Sequence, residues 1–184
     1  EYAVFDDDGE RRVLTFGGLQ RQVASVAAAL ADRGIGHGER VAILAANCPE
    51  YIVTFWACAS MGAVAVCFNG WWTRSEIEYG LEATRPALLV ADRRRLARLE
   101  GADTGVPTLV VEDDFADLLG FAPDADLPET PIAEDDPIVL QFTSGTTGRP
   151  NAAMLRHRSF ISFLHAASLL AARDPMLSGS PPSH

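Results

Sequence analysis

Thr143-Ser144-Gly145-Thr146-Thr147-Gly148 consists wholly of hydroxyl residues and glycines, residue types that suit a phosphate chain. Two glycines let the backbone bend so that successive N–H groups face one concavity, and four hydroxyls add donors around it. The composition fits an ordinary Ser/Thr/Gly turn equally well. Two familiar nucleotide loops are excluded. Counted from Gly145, Pro150 stands where the Gly-x-x-x-x-Gly-Lys loop needs its second Gly, and Asn151 stands where it needs Lys. No Gly-x-Gly-x-x-Gly follows any strand-like run either.

Other chemistry-bearing residues are sparse. Cys48, Cys58 and Cys67 form an odd set without a Cys-x-x-Cys pair or a His at metal spacing, so they read as small core residues of a reducing compartment. His37, His165 and His184 belong to no motif. There is no Lys, and all 15 cations are Arg. The one dense basic run, Arg93-Arg94-Arg95 with Arg98, is short and lacks interleaved aromatics. It reads as a solvated helix face, and no nucleic-acid partner is expected. The net charge of −10 is concentrated in Glu112 to Asp136, which holds ten carboxylates and no Arg.

The loop needs a scaffold, and the chain has the composition for one: 184 residues, 48% apolar and 22% charged, enough for one globular core. Ala3 to Phe5 and Arg12 to Thr15 predict a hairpin turning at Asp8-Gly9. After Thr15 as cap, Leu19, Val23, Val26, Ala27 and Leu30 recur at helical spacing until Gly34. Val41 to Leu44 predicts a strand, Asn47 and Pro49 a helix start, Gly62 its close, and Val64 the next strand. Thr73 and Glu76 make a capping box for a helix through Ala83, followed by a strand at Ala87 to Val90. Leu96 and Leu99 suit a short helix, and Thr108 to Val111 a strand. This alternation predicts an α/β fold with a mostly parallel sheet flanked by helices.

Three further stretches complete the organisation. Residues 1–114 are expected to form an α/β subdomain, and 115–136 an acidic loop interrupted by Pro123, Pro128 and Pro131. Residues 137–174 then carry a strand (Ile138 to Phe142), the loop and a helix from about Arg158 to Ala172, and 175–184 an irregular tail. Tyr51 to Thr73 has no charge and approaches membrane-spanning length, but Gly62 divides it into a helix and a short strand, so no transmembrane segment is expected. No export signal opens the chain. A cytoplasmic location, or a membrane-peripheral one, is the expectation.

The ordered string Gln141-Phe142-Thr143-Ser144-Gly145-Thr146-Thr147-Gly148-Arg149-Pro150, with Ala153-Met154-Leu155 and His157 after it, resembles the phosphate-binding signature of the adenylate-forming (AMP-binding) superfamily. The likeness extends over nearly the whole chain: Asp8-Gly9-Glu10 with Leu14-Thr15-Phe16, Gly38 to Leu44, Asn47 to Tyr51 and Met61 to Val64 all fit. Asn69-Gly70-Trp71-Trp72 with Glu76-Ile77 and Tyr79-Gly80-Leu81 is most similar to acyl-CoA ligases. The resemblance implies that Thr143, Ser144, Gly145, Thr146, Thr147 and Gly148 bind ATP, with Mg²⁺ bridging the phosphates and no protein ligand for it nominated. It further implies activation of a carboxylic acid, expected to be fatty, as an acyl-adenylate, and transfer to CoA.

Two departures qualify that reading. The family's Lys-Gly after the Pro is replaced by Asn151-Ala152, which leaves Arg149 and Arg156 as the cations to stand in, with a fork in place of an ammonium. The family's substrate pocket, ribose site, hinge and C-terminal domain with its catalytic Lys find no match, so the chain reads as an N-terminal fragment, inactive by itself, that lacks the C-terminal part of its own family fold. No catalytic residue is assigned. His157 matches a His frequent in the family, but a helix-start or packing role is expected of it, and the two Trp are expected to pack. The alternative function is a catalytically inactive nucleotide-binding or interaction module. A small phosphotransferase is disfavoured by the missing Lys.

Overall fold

A computed structural model describes residues 1–7, 10–143 and 150–173. β1 (Ala3–Asp7) and β2 (Glu10–Leu14) pair antiparallel as expected; the Asp8-Gly9 turn and the tail from residue 174 lie outside the described residues. Arg12 ties the hairpin to Glu50 at 2.8 Å, and the Trp56 indole N–H donates to the Tyr2 hydroxyl at 2.9 Å.

α1 (Phe16–Asp32) starts where Thr15 Oγ1 accepts the Gly18 N–H at 3.0 Å. It ends in a Schellman motif: Ile35 N–H donates to the Leu30 carbonyl and Gly34 N–H to that of Ala31, with Gly34 at φ +82°. Then follow β3 (Arg40–Leu44), α2 (Pro49–Ser60), β4 (Val64–Cys67), α3 (Arg74–Thr84) and β5 (Leu88–Ala91). The Glu76 carboxylate accepts both the Thr73 N–H and its hydroxyl, at 2.7 and 2.8 Å, closing the expected cap of α3. α4 (Arg93–Leu96) with a 3₁₀ turn at Ala97–Leu99 leads to β6 (Thr108–Val110), α5 (Val111–Gly120), β7 (Pro137–Thr143), β8 (Asn151–Arg156) and α6 (His157–Arg173).

The larger sheet runs β6-β5-β3-β4-β7-β8, with every pairing parallel except β7 with β8. Its central strands β3, β4 and β5 are buried on both faces, which explains their unbroken apolar runs. Val41, Ile43, Ala65, Cys67, Leu88 and Val90 meet α1, α2 and α5 on one side; Ala42, Leu44, Val66, Leu89 and Ala91 meet Ile77 and Leu81 of α3 and Leu99 on the other. Alternate residues of each strand thus go to opposite cores, as a period of two requires.

Two elements depart from expectation. Phe115 to Gly120, read as loop, belong to α5, and Val111 begins that helix instead of ending a strand. The three prolines lie beyond its end, and Glu112, Asp113 and Asp114 in its first turn favour its N-terminus. Phe115 and Leu118 are buried, and the buried Ser25 hydroxyl of α1 donates to the Leu118 and Leu119 carbonyls while accepting the Ala122 N–H. Of the stretch expected as a loop, residues 121–136 carry neither helix nor strand. The second departure is β8, a strand where hydropathy predicts none.

Candidate functional site

Because β3, β4, β5, β6 and β7 run parallel, their C-terminal ends share one edge of the sheet, the edge at which open α/β sheets bind ligands. Leu44, Cys67, Ala91 and Thr143 end their strands there. Phe142 is buried and Thr143, the next residue, is exposed, so the chain leaves the core at that point. Thr143 pairs with Asn151 across the antiparallel ladder, and its Oγ1 donates to the Asn151 carbonyl at 3.3 Å. One ladder pair therefore pins both ends of the intervening segment. The other candidate loop residues, Ser144, Gly145, Thr146, Thr147 and Gly148, and Arg149 with them, lie outside the described residues.

Asn151, the residue at the family's Lys position, sits at the base of the loop opposite Thr143. Arg156 is no substitute cation. It lies at the far end of β8, about 17 Å along the strand at strand rise, where it pairs with Asp135 at 3.0 Å. His157 also belongs to that far end: it opens α6, and its N–H donates to the Asp136 carbonyl at 3.1 Å, in line with the helix-start role. Its Nε2 is buried without a hydrogen-bond partner. Burial lowers its pKa from the ordinary 6.5, aided by His37 and opposed by Asp136. The Asp136 carboxylate accepts from His37 Nε2 at 2.9 Å and from the Ala133 N–H at 2.8 Å, and these bonds hold it below the ordinary carboxylate value.

Cys58 and Cys67 are buried in the core, as expected, and Cys48 is partly buried against it. Burial pushes Cys48 and Cys58 up to about 12 and raises Cys67, so the reactive thiolate is suppressed. Among the described residues no group of three or more His, Cys, Asp or Glu gathers where a metal ion could be held, and no helix is long and apolar enough to cross a membrane.

The arginine run departs from the solvated face expected of it. Arg93 and Arg94 are exposed, Arg93 pairing with Asp113. Arg95 and Arg98 instead turn inward to backbone carbonyls of the loop after β4: Arg95 Nε donates to Gly70 O at 3.1 Å, and Arg98 Nη1 donates to Gly70 O and Trp72 O, both at 2.8 Å. Asp92 is the only local sign of this. It caps α4 through the Arg95 N–H, holds Arg95 Nη1 at 2.6 Å and accepts the Ala46 N–H at 2.8 Å. The partners lie some 25 residues away in sequence, beyond the reach of any periodicity. Trp72 packs as expected, whereas Trp71 is 81% exposed.

Away from this edge, an apolar groove of about 620 Å³ opens between α1, α2 and α6, lined among others by Phe16, Val23, Trp56, Ile138, Phe160 and Leu164.

Comparison with known proteins agrees with this architecture. A family model described as AMP-binding enzyme matches residues 1–184. A 4-coumarate–CoA ligase of Oryza sativa subsp. japonica is 36% identical over 172 residues, covering 82% of this chain and 30% of the relative. An acyl-CoA ligase of Beauveria bassiana is 33% identical over 170 residues, covering 80% and 29%. The chain thus spans about 30% of the length of these curated relatives. Among solved structures, the N-terminal domain of FACL13 from Mycobacterium tuberculosis superposes with a TM-score of 0.73 at 28% identity, over 89% of this chain and 41% of that one. A fatty acyl-adenylate ligase from L. pneumophila, in complex with acyl adenylate and pyrophosphate, shares the fold at a TM-score of 0.75 and 20% identity, over 89% of this chain and 29% of its own. With the family model matched end to end on a sheet of the same fold, the chain belongs to the AMP-binding enzyme family.

Proposed function

We propose that this chain carries the ATP-phosphate loop of an acid–thiol ligase, Thr143 to Gly148, and that the intact enzyme activates a carboxylic acid as its acyl-adenylate and passes the acyl group to CoA. One observation carries the reading. Thr143 stands at the C-terminal end of β7, which pairs parallel with β4, on the edge of the sheet where open α/β sheets bind ligands, and begins a run of hydroxyl and glycine residues. In the proposed reaction a carboxylate oxygen attacks the α-phosphorus of ATP, the α–β bridging oxygen departs with pyrophosphate, and a thiolate then displaces AMP from the acyl carbon. Negative charge grows on the departing pyrophosphate. Donors aimed at such charge are each worth about 3 kcal/mol in the transition state.

The donor chemistry of the segment fits the polyphosphate of ATP. Mg²⁺, when bound with ATP, would neutralise phosphate charge; among the described residues no cluster of ligands is offered to it. The acid is expected to have an apolar body. Relatives named for 4-coumarate and feruloyl substrates widen the expected class from fatty acids to arylpropenoic acids.

A second reading, a nucleotide-binding module without turnover, is favoured by Asn151, a neutral side chain at the position of the family's Lys. Equilibrium dialysis with labelled ATP and acid-driven pyrophosphate exchange test both. Saturable ATP binding without exchange is the expected result for the 184-residue chain. Acid-dependent exchange would show that the chain is itself a catalyst, and absence of ATP binding at millimolar concentration would remove the nucleotide reading.

A further inference from the structure

The loop Asn69 to Thr73, between β4 and α3, is built more heavily than a connection needs. Asp92, 8% exposed, bridges the ends of β3 and β5 by accepting the Ala46 and Arg95 N–H groups, and it orients the Arg95 guanidinium. Arg95 Nε then donates to the neutral carbonyl of Gly70, and Arg98 Nη1 to those of Gly70 and Trp72. The Arg95 side chain is only 14% exposed, and partial desolvation of a cation is costly unless its donors are satisfied. Two glycines make the arrangement sterically feasible. A Cβ on Gly70 would come within 2.7 Å of Arg95 Nε, and one on Gly80 within 2.8 Å of the Trp72 ring and 3.0 Å of Phe68.

What the clamp fixes is the indole of Trp72. Buried to 6% exposure, it lies 5.0 Å from the Phe68 ring and meets Phe142 edge-on, with centroids 4.8 Å apart and planes at 72°; Phe68 also meets Phe142 at 5.7 Å. Such edge-to-face pairs have a preferred geometry. Phe142 is the residue immediately before Thr143, on the strand adjacent to β4. A chain of contacts therefore runs from Asp92 through Arg95 and Arg98 to the Trp72 segment, and from its ring to the root of the hydroxyl–glycine loop.

We propose that Trp72, held by the Arg95–Arg98 clamp, is a positioning residue for nucleotide binding: it sets the direction in which the chain leaves β7 at Phe142 and so the place of Thr143, the first residue of the proposed loop. The inference rests on the reading of Thr143 to Gly148 as the ATP loop. It assigns Trp72 no contact with ATP.

Two measurements test it on the 184-residue protein. In a W56F/W71F background Trp72 is the sole indole, and its emission should change saturably with ATP, with the dissociation constant found by dialysis. Trp72→Phe, which keeps a ring but shortens its reach, and Arg98→Lys, which keeps the charge but ends one bond short of the Nη1 that holds both carbonyls, should each weaken ATP binding on the order of tenfold. Urea unfolding of the same samples, confirming that each variant is folded under the binding conditions, separates positioning from loss of structure. If both variants bind ATP as the parent protein does, the inference is overturned, whatever the emission shows, while the nucleotide reading stands. If the parent protein binds no ATP, the nucleotide reading falls and takes the inference with it. Should Trp72→Phe fail to fold, an Arg98→Lys protein that folds and binds ATP normally is sufficient to overturn it.

Discussion

Asn151 places a neutral amide at the base of the loop, directly across the ladder from Thr143, where an ammonium would add a mobile positive charge beside phosphate. Asn151→Lys is exposed and keeps its backbone pairing, so its effect should be on binding and not on the fold. We expect ATP affinity to rise about fivefold, the equivalent of about 1 kcal/mol for a partly solvated charge-assisted bond, as measured by dialysis. Raising Arg156 to this task is ruled out by its place at the other end of β8, paired with Asp135. The thiols make a second residue-scale prediction. With their pKa values raised by burial, Cys58 and Cys67 should resist alkylation by iodoacetamide at about pH 8 and react on denaturation, which mass spectrometry of the native and urea-unfolded protein would check. The residue types of the candidate loop were legible because they are contiguous. The Arg95–Arg98 clamp was not: its partners, Gly70 and Trp72, are distant in sequence and offer only backbone carbonyls, which no side-chain pattern announces.

At the scale of elements, the parallel strands and their helices were readable because each apolar run is bounded by a cap or a glycine whose geometry the structure bears out, as at Thr15, Gly34 and Thr73. α5 was obscured by the acidic, proline-rich stretch that follows it, and β8 because its six residues are all exposed and so lack the alternation of a half-buried strand. The buried hydroxyl of Ser25, which bonds the end of α5, makes that helix testable. Ser25→Ala leaves carbonyl and N–H groups unsatisfied and should cost about 1–3 kcal/mol in urea unfolding. The junction of residues 121–136 with α6 should respond to pH. Asp136 is held below the ordinary 3.8 by His37 first and the Ala133 N–H second, so its contribution is present above that value and is lost as pH falls through the lower folded one. His157 is lowered from 6.5, chiefly by burial, so the folded state favours the neutral ring and loses stability as pH falls below 6.5. Both signs agree: acidification destabilises. His157→Gln should flatten the decline of the urea midpoint between about pH 7 and 5, and Asp136→Asn the decline at more acidic pH.

For the molecule as a whole, two cores back to back on one sheet account for the burial of nearly every residue of β3, β4 and β5, while the groove between α1, α2 and α6 leaves apolar surface open, with Phe16, Ile161 and Leu164 exposed at it. A contiguous patch of this kind should take up an anilinonaphthalene dye in the native state. Ile161→Glu with Leu164→Glu should lower the dye fluorescence without lowering helix content by circular dichroism. The order of strands has a further consequence, for the time course of folding. β8 meets only β7, its neighbour in the chain, whereas β7 reaches the sheet through β4, across everything from α3 to α5. Local hairpins close in microseconds, and pairings between distant segments must first overcome a larger loop entropy. Thr143 and Asn151 can therefore be brought together before β7 is anchored, and a chain stalled at that stage would hold this pair closed while lacking the contacts of Phe142 with Phe68 and Trp72.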